Sequence, residues 1–134
     1  MNTYCGIDVI EVDRIKDAIN SNSKFINKVF SKNEIEYIES IKSENKYQNY
    51  AGRYAAKEAI FKALSKILND NNDKLDFLKI EIINDKDCYN RPKVNILDKN
   101  INDLIVLKNI KIDVSISHIE KMAVAMSTVQ IKED

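Results

Sequence analysis

Glycine and proline are nearly missing from this chain, at two and one of its 134 residues, while Asn, Ile and Lys abound. That bias matches a codon composition and carries no functional meaning. Two cysteines, Cys5 and Cys88, lie far apart and match no metal-binding or redox spacing, so buried reduced thiols are expected. No P-loop, GxGxxG, HExxH or CxxC motif occurs, and there are no repeats or low-complexity tails. No apolar run approaches the ~20 residues of a membrane span, and Met1 to Cys5 lack the basic-then-apolar order of a signal peptide. A cytoplasmic chain with no membrane partner is expected. Net charge is missing too: 21 basic residues balance 21 acidic ones, which removes any bulk drive toward nucleic acid.

With 44% hydrophobic and 31% charged residues, the chain suits one globular domain over 1–134, large enough for a core without disulfide or metal staples. Its first β-type run, residues 3–10, puts Ile7 and Val9 on one face and Gly6, Asp8 and Ile10 on the other. Gly6 invites close approach by another group. Asp8 beside it suits a metal or phosphate site, and equally a cap for the next helix.

From Val12 to Phe30 the apolar spacing predicts two short helices joined around Asn20–Ser23. Arg14, Lys16, Lys24, Lys28 and Lys32 make this region locally basic, which fits either an acidic partner or a solvated face. Ser31 and Glu34 spell a capping box ahead of a helix carrying Ile35, Tyr37, Ile38 and Ile41.

A long helix over about 47–68 comes next. At about 100° per residue, Ile60, Phe61, Leu64, Ile67 and Leu68 share one arc, and Arg53, Lys57 and Glu58 fall in or beside it. Charges on an apolar face need partners, so the first half of this helix is expected to line a polar site and the second half to enter the core. The competing reading is that Glu58 and Lys62, at i and i+4, form an ordinary helix-stabilising ion pair.

The second half of the chain alternates. Leu78, Ile80 and Ile82, then Val94 and Ile96, predict a hairpin around Asp85–Pro92, and Asp98 caps a helix to Leu107. Ile110, Ile112, Val114 and Ile116 predict a half-buried strand, paired in a second hairpin with Met122–Val129. The only histidine, His118, sits at the lip of that strand, either incidental there or part of a site.

Gly6-Ile7-Asp8, then Ala51 to Glu58 with Lys62, then Ser115-Ile116-Ser117-His118 together resemble the holo-[acyl-carrier-protein] synthase family, the small branch of the 4′-phosphopantetheinyl transferases. The resemblance covers nearly the whole chain. It implies an α+β fold with a long central helix packed on an antiparallel sheet, assembled as a homotrimer with sites at subunit interfaces. It also implies transfer of 4′-phosphopantetheine from coenzyme A to a serine of apo-acyl carrier protein, in support of fatty acid biosynthesis.

By the same resemblance, Asp8 and Glu58 would share Mg²⁺, Glu58 and Lys62 would be catalytic, and Arg53, Lys57, Lys62, Ser117 and His118 would contact coenzyme A. Arg14 would dock the carrier protein, with Lys16, Lys24 and Lys28 adding to that surface. The chain departs from the family pattern at Ser65, at Asn90-Arg91-Pro92 and at Ile119. Two other readings of these residues are a non-catalytic module that binds carrier protein or nucleotide, and a Mg²⁺-dependent phosphohydrolase.

Overall fold

Period-two alternation and one long helical run account for most of the architecture of the computed structural model, which describes residues 1–132; positions 133 and 134 of the expected domain lie outside the described residues. The elements run β1 (Asn2–Glu11), α1 (Val12–Ser21), α2 (Phe25–Val29), α3 (Lys32–Glu39), α4 (Asn45–Asp70), β2 (Ile80–Asp85), β3 (Arg91–Ile96), α5 (Lys99–Leu107), β4 (Lys111–His118) and β5 (Met122–Ile131). The fold is α+β. β1, β5 and β4 form an antiparallel sheet in that order, and β2 and β3 form a separate hairpin. Asp8 and Ile116 both lie opposite Ala125 of the central strand, and His118 lies opposite Ala123.

Helix α4 rests on one face of the three-stranded sheet through Gly52, Ala55, Ala56, Ala59 and Ala63, all buried. Small residues let the backbones approach. At Gly6 they nearly touch: a Cβ there would stand 2.0 Å from the Ala59 carbonyl oxygen. The close approach expected at Gly6 is therefore made by α4 itself. Ile60, Leu64, Ile67 and Leu68 extend the core, together with Ile80, Ile82, Val114 and Val129. The other sheet face leaves Ile7, Val9, Met122, Val124 and Met126 exposed.

The helix ends follow their chemistry. Ser31 and Glu34 make both bonds of a capping box at α3, and the Asp98 carboxylate accepts the Ile101 N–H at α5. Three expectations change in detail. Cys5 and Cys88 are exposed, not buried, because Cys5 points to the open sheet face and Cys88 lies in the hairpin turn. Leu78 belongs to a 3-10 turn over Phe77–Lys79 and not to β2. Phe61 stays at the core margin, 36% exposed, with its ring centroid 5.9 Å from that of Phe77.

Candidate active site

One helix carries both halves of the site. Asn49, Arg53 and Lys57 recur every four residues along α4, and so do Tyr54, Glu58 and Lys62. At about 100° per residue, Arg53 lies about 100° to one side of the sheet-facing line through Gly52, Ala59 and Ala63, and Lys62 about 80° to the other. α4 thus stands between two polar clusters.

The first cluster faces β1. The Tyr54 hydroxyl donates to Glu58 Oε1 at 3.4 Å. Burial raises the Tyr54 pKa, the Glu58 and Asp8 carboxylates raise it further, and Arg14 of α1 pulls it back. The phenol thus feels the charges of Glu58, Asp8 and Arg14, with Glu58 alone in hydrogen-bond contact. Lys62 Nζ donates to the Ile7 carbonyl at 2.9 Å and lies 3.5 Å from Asp8 Oδ1. The lysine pairs across to the strand, not along the helix with Glu58.

Two carboxylates and a phenol make an all-oxygen donor set. Among the described residues no three His, Cys, Asp or Glu side chains cluster as a metal cage. Such a set suits Mg²⁺, which keeps several waters and is held by one or two carboxylates plus substrate phosphates, and not zinc, which prefers nitrogen and sulfur in a closed site. Asp8 and Glu58 fit that role.

The second cluster faces the β2–β3 hairpin. A cavity of about 230 Å³ there is lined by Asn49, Gly52 and Arg53 of α4, Asn84, Asn90 and Pro92 of the hairpin, and Ile116 and His118 of β4, with Gln48 at its rim. Arg53 donates to the Ile82 carbonyl at 3.3 Å, Asn49 Oδ1 at 3.4 Å and Asn84 Oδ1 at 3.2 Å. Its guanidinium carbon lies 4.9 Å from the Tyr37 ring centroid. Burial pulls its pKa down while Glu34 and Tyr37 hold it up. Asn90 takes a left-handed φ of 56°, a conformation that asparagine adopts more readily than most side chains.

Two expected contacts need correction. Lys57 has no exposed surface: its ammonium donates to Glu34 Oε1 at 2.8 Å, to the Phe77 carbonyl at 2.9 Å and to the Ile80 carbonyl. With three protein acceptors it has no donor left for a ligand. Ser117 lines a hollow on the outer sheet face with Val9, Met122 and Val124 and does not border the cavity, because strand side chains alternate; His118, at the strand end, borders both. Among the basic residues, Arg14, Lys24 and Lys28 are exposed. Lys16 pairs with Glu44 at 2.8 Å and lies 5.3 Å from the Tyr47 ring centroid.

Sequence reasoning missed Tyr54, which shares the four-residue period of Glu58 and Lys62 and was recoverable from it. It also missed Asn84, whose only local signal is asparagine density near a turn, and it noted Asn90 as a departure from the family pattern without giving it a place in the cavity. Glu81 carried no signal either: it is buried and accepts from Ser31 Oγ at 2.6 Å, Asn33 Nδ2 at 3.3 Å and Asn95 Nδ2 at 3.2 Å.

Residues 4–121 match the family described as the 4′-phosphopantetheinyl transferase superfamily. The holo-[acyl-carrier-protein] synthase of Clostridium tetani is 43% identical over 93% of this chain and 93% of its own length. That of Ruminiclostridium cellulolyticum is 44% identical over 98% and 94%. Among solved structures, the Bacillus anthracis holo-(acyl-carrier-protein) synthase in complex with CoA (3′,5′-ADP) superposes with a TM-score of 0.71 at 28% identity, covering 94% of each chain. The Helicobacter pylori holo-[acyl-carrier-protein] synthase in complex with coenzyme A gives 0.70 at 30%, covering 96% of this chain and 99% of its own. A full-length match in sequence and fold, with Asp8, Glu58 and Lys62 gathered at one helix flank, makes this chain a member of the holo-[acyl-carrier-protein] synthase family of 4′-phosphopantetheinyl transferases.

Proposed function

We propose that this chain transfers the 4′-phosphopantetheine group of coenzyme A to a serine of apo-acyl carrier protein and releases adenosine 3′,5′-bisphosphate. The observation that carries the reading is the division of polar side chains by α4: carboxylates and an ammonium on one flank, an amide-rich cavity with Arg53 and His118 on the other. The first suits a reacting diphosphate and the second a nucleotide.

The carrier serine hydroxyl attacks the phosphorus that bears the pantetheine arm, and the bond from that phosphorus to the bridging oxygen breaks. The serine proton goes to Glu58, directly or through one water. Lys62 neutralises the charge that develops on the departing phosphate. Asp8 and Glu58 would hold Mg²⁺, which when bound stabilises the diphosphate charge. Exposed Arg14, beside this cluster, would meet an acidic surface of the carrier protein, with Lys24 and Lys28 extending the same positive field.

The two clusters lie toward opposite edges of one sheet, β1 and β4. A closed ring of three copies would bring the β1 edge of one copy to the β4 edge of the next and cover Ile7, Val9, Val124 and Met126, which are exposed here. We therefore place the complete site between subunits of a homotrimer. The reaction would supply a carrier protein for fatty acid biosynthesis in the cytoplasm.

The test is mass spectrometry of apo-acyl carrier protein incubated with coenzyme A, Mg²⁺ and the purified protein. The expected result is a gain of one phosphopantetheine, lost with Glu58→Gln and with chelator. Binding of carrier protein with no mass gain would overturn the reading in favour of a binding module, and free phosphopantetheine in its place would indicate hydrolysis.

A further inference from the structure

The hairpin that walls the nucleotide-side cavity has no ladder to the main sheet among the described residues, and a two-stranded hairpin is marginally stable alone. Its root is fixed from inside, where Glu34 Oε2 accepts the Ile82 N–H and Arg53 donates to the Ile82 carbonyl. Its outer end is held differently. Arg91, the first residue of β3, points its Nη2 at both carboxylate oxygens of Asp113 in β4, at 2.7 and 2.6 Å.

Position makes this pair more than a surface ion pair. Arg91 stands between Asn90 and Pro92, which both line the cavity, so its own side chain leaves the opposite side of the strand. Asp113 lies on the strand that carries the facing wall, Ile116 and His118, and it too points away from the cavity. The pair thus joins the two walled strands from behind. Asp113 is also a fixed anchor: its Oδ1 accepts its neighbour's N–H, from Val114 at 2.9 Å, and its carbonyl accepts from Ser127 Oγ at 2.8 Å.

We propose that Arg91 and Asp113 are positioning residues that set the width of the nucleotide cavity by tying β3 to β4, without touching the ligand. This inference rests on the assignment of that cavity to the nucleotide end of coenzyme A.

The sign of two single substitutions separates positioning from direct electrostatics. Arg91→Gln removes a cation and Asp113→Asn removes an anion, so a purely Coulombic effect on an anionic nucleotide would weaken binding in the first and tighten it in the second. A tie between walls requires both to weaken it.

The experiment measures calorimetric affinity for adenosine 3′,5′-bisphosphate, and the KM for coenzyme A, in wild type, both single variants and the swap Arg91→Asp with Asp113→Arg. Each single variant is expected to bind about 3- to 5-fold more weakly, in keeping with an exposed pair. Each should raise KM with little change in kcat, and the swap should recover most of the loss. Opposite signs in the two singles, no change in either, or a swap no better than the singles would overturn the proposal. A wild-type protein that binds no nucleotide would overturn the cavity assignment itself. Unchanged melting temperatures would separate these results from a folding defect.

Discussion

Glu34 Oε1 stands 2.8 Å from Lys57 Nζ, and neither side chain has any exposed surface. Glu34 also closes the capping box of α3 through the Ser31 N–H at 2.9 Å and accepts the Ile82 N–H of β2 at 3.1 Å. One carboxylate therefore joins α3, α4 and the hairpin. Burial pushes the Lys57 ammonium below its ordinary value, while Glu34, and more weakly Glu81, oppose that push. Removing one partner strands the other as a buried charge. Lys57→Ala is expected to cost about 3–5 kcal/mol in urea unfolding, and Glu34→Gln combined with Lys57→Met should cost clearly less than the sum of the two single changes.

Gly6→Ala is expected to destabilise by about 2–3 kcal/mol, because the new methyl would stand 2.0 Å from the Ala59 carbonyl oxygen and 2.9 Å from the Ala63 nitrogen, both backbone. Gly52→Ala should stay within about 1 kcal/mol of neutral, since helix propensity favours alanine and the only contact is the Ile116 side chain at 3.0 Å. Thermal unfolding of the two variants side by side checks the contrast.

Alkaline stability should depend on Tyr50. Burial, reinforced by the hydrogen bond to Glu39, raises its phenol well above the usual value. Above pH about 10 the unfolded phenol loses its proton while the folded one keeps it, so the unfolded state gains and stability falls until pH passes the folded value. Tyr50→Phe should flatten that fall, as measured by urea unfolding between pH 8 and 11.

Complementation tests the proposed placement of the site between subunits. Glu58→Gln and His118→Ala proteins are each expected to lose most transferase activity. Mixing them under conditions that exchange subunits should restore part of it, because a mixed ring can pair an intact carboxylate flank with an intact cavity from a neighbour. No recovery on mixing, despite exchange shown by native mass spectrometry, would place the whole site within one chain.

How much could be read in advance depended on the range of the interactions. Ile110 to Ile116 follow a strict period of two, and the Ser31–Glu34 cap is written within four residues, so both were legible. The pairing of β1 with β5 joins Gly6 to Ser127, and no local pattern encodes that partner. Lys57 shows the same limit at a single side chain. Its charge on the helix was visible, but its burial was not, because its partner lies 23 residues away in a motif already explained as a cap. Asp8 and Glu58 stood out locally with two readings each, but they could be joined with Lys62 into one site only through the family pattern, since spacing alone offered Lys62 an i, i+4 partner that it does not take.

The two stripes of α4 ride on one rigid rod. A roll of that rod about its own axis would carry Lys62 toward the sheet only by carrying Arg53 away from it, so the two flanks behave as opposite teeth of a single gear. Gly6, against which the α4 backbone rests, is the pin that sets the phase of that gear. A residue with no side chain and no chemistry of its own thus fixes the rotation of α4, and with it the side of the sheet on which each polar flank stands.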